Sequence, residues 1–250
     1  MIAMTIAGFD PSGGAGILND IKTFSALGIY GTAVITALTA QNIKEVTGIQ
    51  PVSTNFIEKQ IDTILAQDKI QYAKTGMLYS DEIIKCVSDK IDLYNLKVVV
   101  DPVMVAGSGG FLSKKDFVSS LKKNLLPLAE LTTPNIYEAQ EISGIRIETM
   151  EDAMKAAEKI GKICNVVVTG GHLEGNDILF DGNIKVIEGE LIKSENVHGS
   201  GCTYSSAIVT SLLKGDGIEY AVKFAAEYTK EGIRNGFKGT LNQFYKNIQY

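Results

Sequence analysis

The chain has 250 residues, a length typical of one large α/β domain, and its 45% hydrophobic and 21% charged residues are typical of a globular protein. The net charge of −5 at pH 7 argues against a nucleic-acid-binding protein, in which a basic stripe is expected. With three cysteines, no CxxC pair and two histidines, neither a zinc site nor a disulfide framework is well supported.

The N-terminal segment MIAMTIAGFD is apolar but short. It lacks a basic n-region, which favours a buried first strand over a signal peptide, and no apolar run approaches the ~20 residues of a membrane span. We therefore expect a cytoplasmic location, no membrane contact and a single domain over residues 1–250, without linkers, repeats or low-complexity segments.

Short apolar runs alternate with amphipathic stretches in the first half of the chain. MTIAG predicts a buried strand, GAGILNDIKTFSALG a helix that stops near Gly28, and YGTAVITALTAQ a second strand. A helix is then expected in STNFIEKQIDTILAQD, a short strand in YAKTGM, a helix in SDEIIKCVSDKIDLYN with Ser80 as N-cap, and a buried strand in KVVVD.

The second half continues this alternation. After the loop PVMVAGSGG, we expect a helix near residues 114–125, a strand in LTTPN and a helix from Asn135. TMEDAMKAAEKIGKI has a capping box at its start, NVVVTGG predicts a strand, and DILFDGNIKVIEG a hairpin. The last two helices are expected near residues 200–213 and 216–235.

Strand–helix alternation along the whole chain predicts an α/β fold with a mostly parallel sheet that helices cover on both faces. In such sheets ligands lie beyond the C-terminal ends of the strands. Polar or glycine-rich segments follow several predicted strands there, namely GFDPSGGAG, QN, GM, DPVM, PNIYE and GGH. The P-loop pattern GxxxxGKS/T is missing, and so is GxGxxG after the first strand, so a Rossmann dehydrogenase is unsupported.

Residues 198–203, HGSGCT, run directly into the predicted helix YSSAIVTSLLKG. Gly199, Ser200 and Gly201 then lie at a helix N-terminus, where free N–H groups and the helix dipole favour an anion such as a phosphoryl group. The same position predicts a pKa for the Cys202 thiol lowered toward ~7 from ~8.5. The alternative is that Cys202 is a small buried hydrophobic residue.

Three more positions suit a ligand-binding role, and each also has an ordinary structural explanation. Asn135 and Glu138 are three residues apart on one helix face and suit a hydrated Mg²⁺ that bridges nucleotide phosphates, although the spacing alone favours an N-cap with an exposed glutamate. Gln41 follows a strand, where its amide can donate to and accept from an aminopyrimidine or simply cap the strand.

The segment TIAGFDPSGGAGILNDIKTFSALGIYGTAVITALTAQN closely resembles the N-terminal signature of hydroxymethylpyrimidine/phosphomethylpyrimidine kinases of thiamine biosynthesis. KTGM, DPVMVAGSGG, TPNIYEA, GGHLEG and HGSGCT follow in the order of that family, so the resemblance covers nearly the whole chain. The family is a branch of the ribokinase-like superfamily, which implies a three-layer α/β sandwich.

The resemblance implies an ATP-dependent kinase that phosphorylates 4-amino-5-hydroxymethyl-2-methylpyrimidine and then its monophosphate. It implies ATP and Mg²⁺ as cofactors, leaves room for a monovalent cation, and favours a homodimer. By analogy, the pyrimidine pocket would be formed by Gln41, Asp20, Met77 and Val103, and the anion hole by Gly199, Ser200 and Gly201. The nucleotide would contact Asn135, Glu138, Thr169 and Gly171. The metal ligands would be Glu138 and Asp101.

Cys202 differs from most of the ribokinase-like superfamily, and Thr169 departs from the pattern of the family itself. Cys202 stands where most ribokinase-like enzymes have an aspartate base, and we interpret it as a group that orients the substrate hydroxyl and accepts its proton late. Thr169 stands where the family has a lysine, which weakens the case for a cationic phosphate contact there.

Two alternative functions follow from the same residues. A pyridoxal kinase, which belongs to the same branch of the superfamily, would phosphorylate the hydroxymethyl group of vitamin B6. The aldehyde of that substrate could add reversibly to Cys202. A non-catalytic pyrimidine binder would show a broken anion hole or metal site, whereas GSGC and PNIYE are intact here.

Overall fold

A mostly parallel β-sheet forms the middle layer of the structure, a computed structural model that describes residues 1–106, 110–111, 114–170 and 175–247. Within these residues nine strands form one sheet in the order β11-β10-β9-β8-β5-β4-β1-β2-β3. The strands along the chain are β1 (Ile2–Phe9), β2 (Tyr30–Gln41), β3 (Val46–Pro51), β4 (Tyr72–Thr75), β5 (Lys97–Val100), β6 (Val105–Ala106), β7 (Gly110–Phe111), β8 (Ala129–Thr132), β9 (Val166–Val168), β10 (Asp177–Phe180) and β11 (Ile184–Ile187).

Strands β6 and β7 pair with each other outside the main sheet, and β3, β10 and β11 are the antiparallel members of the main sheet. The helices that connect and cover the strands are α1 (Gly16–Ala26), α2 (Thr54–Gln67), α3 (Asp81–Leu93), α4 (Lys114–Ser120), α5 (Ile136–Ser143), α6 (Met150–Ile160), α7 (Ser200–Leu213) and α8 (Ile218–Arg234). No helix among the described residues is both long enough and apolar enough to cross a membrane.

Two apolar cores lie on opposite faces of the sheet. Helices α1, α7 and α8 supply one core, and α2 to α6 supply the other. The alternation along β5 shows how one strand serves both, because Val98 and Val100 belong to one core and Val99 to the other. The result is the three-layer arrangement that the strand–helix alternation predicts.

The positions of the predicted elements are largely confirmed. Helix α1 ends before Gly28, whose φ of +79° is the left-handed conformation expected just after a helix. Thr149 and Asp152 form the capping box of α6, and β10 and β11 form the predicted hairpin with Gly182 at φ +104°.

Strand β3 was not predicted from the sequence. Its residues are half-buried or exposed at the edge of the sheet, and they include Gly48 and Pro51, so the segment shows no apolar alternation. The helix expected near residues 114–125 is also shorter than predicted, because α4 is followed by a π-helical turn over Leu121–Leu125.

Candidate active site

A cavity of about 240 Å³ lies at the C-terminal ends of β1, β2, β4, β5 and β8, where the fold class places ligands. We call it the first cavity. Most of the residues singled out in the sequence line it, whereas their positions in the chain are far apart. These lining residues are Gln41, Met77, Asp101, Val103, Asn135, Glu138, Thr169, Gly199, Ser200, Gly201 and Cys202.

The N-terminus of α7 forms one wall of the first cavity. Gly199 is the N-cap, in the left-handed region at φ +88°, and no side chain caps the helix. The N–H groups of Gly201 and Cys202 lie in the first turn, where no helical carbonyl can pair with them. A Cβ at position 199 would lie 1.8 Å from the carbonyl oxygen of Gly14, so this turn requires glycine. We call Gly199–Cys202 the anion turn.

Two buried carboxylates face the same cavity. Asp101 follows β5 and accepts a hydrogen bond from Ser205 Oγ at 3.1 Å. Burial raises the pKa of Asp101, although Lys74 opposes this rise. Burial and the negative charge of Asp101 raise the pKa of Glu138 to about 8. The two carboxylates are therefore close enough to repel each other, and a cation between them would relieve that repulsion.

Glu138 and Asn135 form the helix cap that their spacing allows. The two residues form a capping box, in which Asn135 Oδ1 accepts from the Glu138 N–H at 3.0 Å and Glu138 Oε2 accepts from the Asn135 N–H at 2.9 Å. Glu138 is nevertheless buried and lines the cavity, so the expectation of an exposed glutamate was wrong.

Lys74, which the sequence analysis did not single out, lies beneath the first cavity. Its side chain is fully buried, and Nζ is 2.7 Å from Asp20 Oδ1 and 3.6 Å from Asp101 Oδ2. Burial lowers the pKa of Lys74, but the negative charges of Asp20 and Asp101 hold the pKa above its ordinary value. The signal in the sequence was a lysine inside the otherwise apolar strand YAKT, because a charge there needs a partner.

The lining of the first cavity does not include Asp20, which the resemblance assigns to the substrate pocket. The carboxylate is fully buried. It accepts hydrogen bonds from Thr5 Oγ1 at 2.6 Å and Ser206 Oγ at 2.9 Å, in addition to its ion pair with Lys74. Asp20 therefore joins β1, β4 and α7 below the site.

A second cavity, of about 520 Å³, adjoins the first. It lies between the segment around residues 187–192 and helix α8, and Thr169, Ser200 and Gly201 line both cavities. Asp177 also lines this cavity and accepts from the Tyr204 hydroxyl at 2.6 Å and from the Gly170 N–H at 2.7 Å. The anion turn thus lies where the two cavities meet.

A family model described as phosphomethylpyrimidine kinase matches residues 10–245. The chain belongs to the phosphomethylpyrimidine kinase family. It is 40% identical over 241 residues to the hydroxymethylpyrimidine/phosphomethylpyrimidine kinase of Bacillus subtilis, which covers 93% of this chain and 89% of that protein. The α/β fold that the resemblance implied is confirmed.

Two further similar proteins have names that describe different activities. The chain is 44% identical over 238 residues to a thiamine biosynthesis bifunctional protein of Geobacter sulfurreducens, and the match covers 92% of this chain and 49% of that protein. The solved pyridoxal kinase of Staphylococcus aureus in complex with AMP-PCP and pyridoxal has a TM-score of 0.90 at 32% identity, covering 98% of this chain and 94% of that one.

Three further predictions concern Cys202, Thr169 and Gly171. The lowered pKa predicted for Cys202 was wrong, because burial dominates and raises the pKa of the thiol to about 12, although Lys74 and the Gly16 N–H oppose the rise. Thr169 lines both cavities, and its N–H donates to the Pro134 carbonyl at 2.9 Å. Gly171 lies outside the described residues.

We expect Lys74→Met to lower the free energy of unfolding by about 3–5 kcal/mol, because it leaves Asp20 and Asp101 buried without a countercharge. Urea denaturation of the purified protein measures this change. Lys85→Met is the control, since Lys85 and its partner Asp81 lie on the surface and such pairs contribute little. Equal stability of the two variants would contradict the role given to Lys74.

Proposed function

We propose that the chain is an ATP-dependent kinase that phosphorylates 4-amino-5-hydroxymethyl-2-methylpyrimidine and then its monophosphate to the diphosphate, for thiamine biosynthesis. We further propose that residues 1–250 form a single kinase domain. The observation that carries the proposal is that one cavity combines Gln41 with the anion turn. The family match and the names of the sequence relatives support the substrate.

Gln41, Met77 and Val103 would form the pyrimidine side of the first cavity. Gln41 Oε1 accepts from the Thr39 hydroxyl at 3.2 Å, which fixes the amide at the end of β2. Its amide can then donate to a ring nitrogen and accept from the exocyclic amine, a pairing that suits an aminopyrimidine. Met77 and Val103 supply apolar surface for the ring.

The anion turn would hold the phosphoryl group during transfer. In phosphoryl transfer the protein acts mainly by positioning and by stabilising charge on the moving group. The free N–H groups of Gly201 and Cys202 supply that stabilisation at a helix N-terminus. We propose that the second cavity holds the nucleotide, because Thr169, Ser200 and Gly201 line both cavities and a terminal phosphate there meets the turn.

Mg²⁺ fits the buried carboxylates of Asp101 and Glu138. The negative charge of Asp101 raises the pKa of Glu138, and a bound cation would offset the repulsion between the two carboxylates. Carboxylate oxygens are hard ligands, which Mg²⁺ prefers. No group of three or more His, Cys, Asp and Glu residues within the described ranges is arranged to hold a metal ion. Mg²⁺ commonly takes one or two carboxylates and completes its shell with water and phosphate oxygens.

Cys202 would orient the substrate hydroxyl without removing its proton. A thiol with a pKa raised to about 12 keeps its proton at neutral pH and cannot accept another. The proton acceptor would then be one of the carboxylates of the first cavity or an oxygen of the phosphoryl group. The loose transition state makes proton removal late. This revises the earlier hypothesis of Cys202 as a late base.

We expect Cys202→Ala to lower kcat by less than about 10-fold, whereas loss of a general base costs about 10²–10⁴-fold. Because the thiol titrates only near pH 12, the pH profile of kcat between about pH 6 and 9 should be unchanged. Steady-state kinetics measures both quantities. Cys164→Ser is the matched control, since its thiol is also raised to a pKa of about 12 but lies outside both cavities.

An inflection between pH 6 and 9 that is present in the unaltered protein and the Cys164→Ser control, and disappears in Cys202→Ala, would restore the base role.

A pyridoxal kinase is the second candidate, because the solved structure reported above is a pyridoxal kinase that binds pyridoxal and AMP-PCP. The thiolate is the reactive form of cysteine. The raised pKa of Cys202 therefore disfavours addition to an aldehyde and removes one advantage that pyridoxal would have in this cavity.

Incubation with ATP, Mg²⁺ and equal concentrations of the pyrimidine alcohol and pyridoxal should give the pyrimidine mono- and diphosphates first, detected by mass spectrometry.

Gln41→Ala should reduce kcat/KM for the pyrimidine by about 10–100-fold, because one hydrogen-bonded contact to a polar substrate group is worth about that factor. A preference of a hundredfold or more for pyridoxal would overturn the substrate, and binding without any product would favour a non-catalytic binder.

We also propose a homodimer that works in the cytoplasm. The free cysteines Cys86, Cys164 and Cys202 support a reducing compartment. The edge strand β3 and the exposed side chain of Leu38 beside it support pairing at that edge.

Light scattering should give twice the chain mass of 27.0 kDa, and cell fractionation should recover the protein with cytoplasmic markers. Leu38→Lys should yield the monomer, because a lysine at the interface would be buried without a partner. Val186→Lys, at the opposite edge of the sheet, is the control. A monomeric unaltered protein would refute the dimer.

A further inference from the structure

Asn19, a fully buried residue of α1, contacts both glycine-rich turns that border the first cavity. Its Nδ2 donates to the carbonyl oxygen of Gly14 at 2.7 Å and to that of Gly199 at 3.3 Å. Its Oδ1 accepts from the hydroxyl of Thr203, in the first turn of α7, at 2.9 Å. One amide therefore links segments that are 180 residues apart in the chain.

The link crosses a close backbone contact. A Cβ on Gly199 would lie 2.5 Å from Asn19 Nδ2 as well as 1.8 Å from the Gly14 oxygen, so the two turns touch with no space to spare. Another contact crosses the same boundary, because His198 Nε2 lies 2.9 Å from Asp10 Oδ2. The anion turn is therefore held against the loop before α1.

Lys22 of α1 donates to the Gly13 carbonyl at 2.7 Å, and Asn19 makes the second side-chain link from this helix to the loop before it. Neither α1 nor α7 has a side-chain cap, and Gly16 and Gly199 both have positive φ, which leaves glycine segments with much conformational freedom. A buried amide whose donor and acceptor atoms are both paired is costly to disturb. Asn19 is thus placed to fix the orientation of the anion turn while its own side chain stays outside the cavity lining.

We propose that Asn19 is a positioning residue that holds the N–H groups of the anion turn in the geometry that receives the transferred phosphoryl group. The proposal rests on the kinase function given above. It separates transfer from substrate binding, because the Asn19 side chain bonds to Gly14, Gly199 and Thr203. Gln41, Met77 and Val103, by contrast, come from the ends of β2, β4 and β5. Loss of Asn19 should therefore change kcat and leave the KM for the pyrimidine almost unaltered.

The test compares Asn19→Ala, Thr203→Val and the double variant with the unaltered protein. A displacement of catalytic groups by ~1 Å costs roughly 10²-fold, so Asn19→Ala should lower kcat by about 30–100-fold with a KM for the pyrimidine within about twofold. Thr203→Val removes the hydroxyl that orients the amide, and its effect should be smaller and non-additive with Asn19→Ala. Asn165→Ala is the control, since Asn165 Nδ2 donates to the Glu130 carbonyl at 2.8 Å away from both cavities.

A binding measurement keeps this inference separate from the kinase function. Calorimetry with ADP, Mg²⁺ and fluoroaluminate, a mimic of the transferred phosphoryl group, should show binding weakened by at least about 10-fold in Asn19→Ala, as expected for transition-state mimics. The Asn165→Ala control should bind the mimic like the unaltered protein, and thermal melting should show both variants folded.

Equal binding of the mimic by Asn19→Ala and Asn165→Ala would overturn the role of Asn19, whatever the substrate. If the unaltered chain gives no pyrimidine phosphate but the mimic still binds more weakly to Asn19→Ala than to the control, the positioning role stands and the pyrimidine kinase function falls.

Discussion

The site depends on a single buried cation. Lys74 enters from β4, and its partners Asp20 and Asp101 come from α1 and the end of β5. Asp20 in turn accepts from Ser206 on α7, while Asp101 accepts from Ser205 on the same helix. Because a buried charge needs a partner, these elements must meet at one point for the chain to fold. That point lies directly below the anion turn, so the requirement for charge balance also places the start of α7.

Much of the site could be predicted because the sheet is parallel. Once β1, β2, β4 and β5 are recognised as neighbours, their C-terminal ends must lie at one edge, and Gln41 and Asp101 follow them there. The anion turn could be predicted from local chemistry, since glycines directly before an apolar helix expose N–H groups. In both cases the inference needs only the order of elements and the geometry of one turn.

The errors concern quantities that depend on tertiary packing. Helix spacing puts Asp20 three residues after Ile17 and four before Phe24, which is the buried face of α1, yet only the structure reveals Lys74 as its partner. The pKa of Cys202 could not be read from the helix N-terminus alone. That effect is local, whereas the burial and the carboxylates of Asp20 and Asp101 that raise the pKa come from other parts of the chain.

The same charge balance explains why a thiol is compatible with position 202, where most ribokinase-like enzymes have an aspartate. Lys74 already faces Asp20 and Asp101, so the buried group carries one positive and two negative charges when all three are ionised. An aspartate at position 202 would add a third carboxylate near a single cation, and like charges in a buried site raise one another's pKa. A protonated thiol adds no charge. In the proposed reaction it would keep the anion turn approachable for a phosphoryl group, whose own negative charge would come close to these carboxylates.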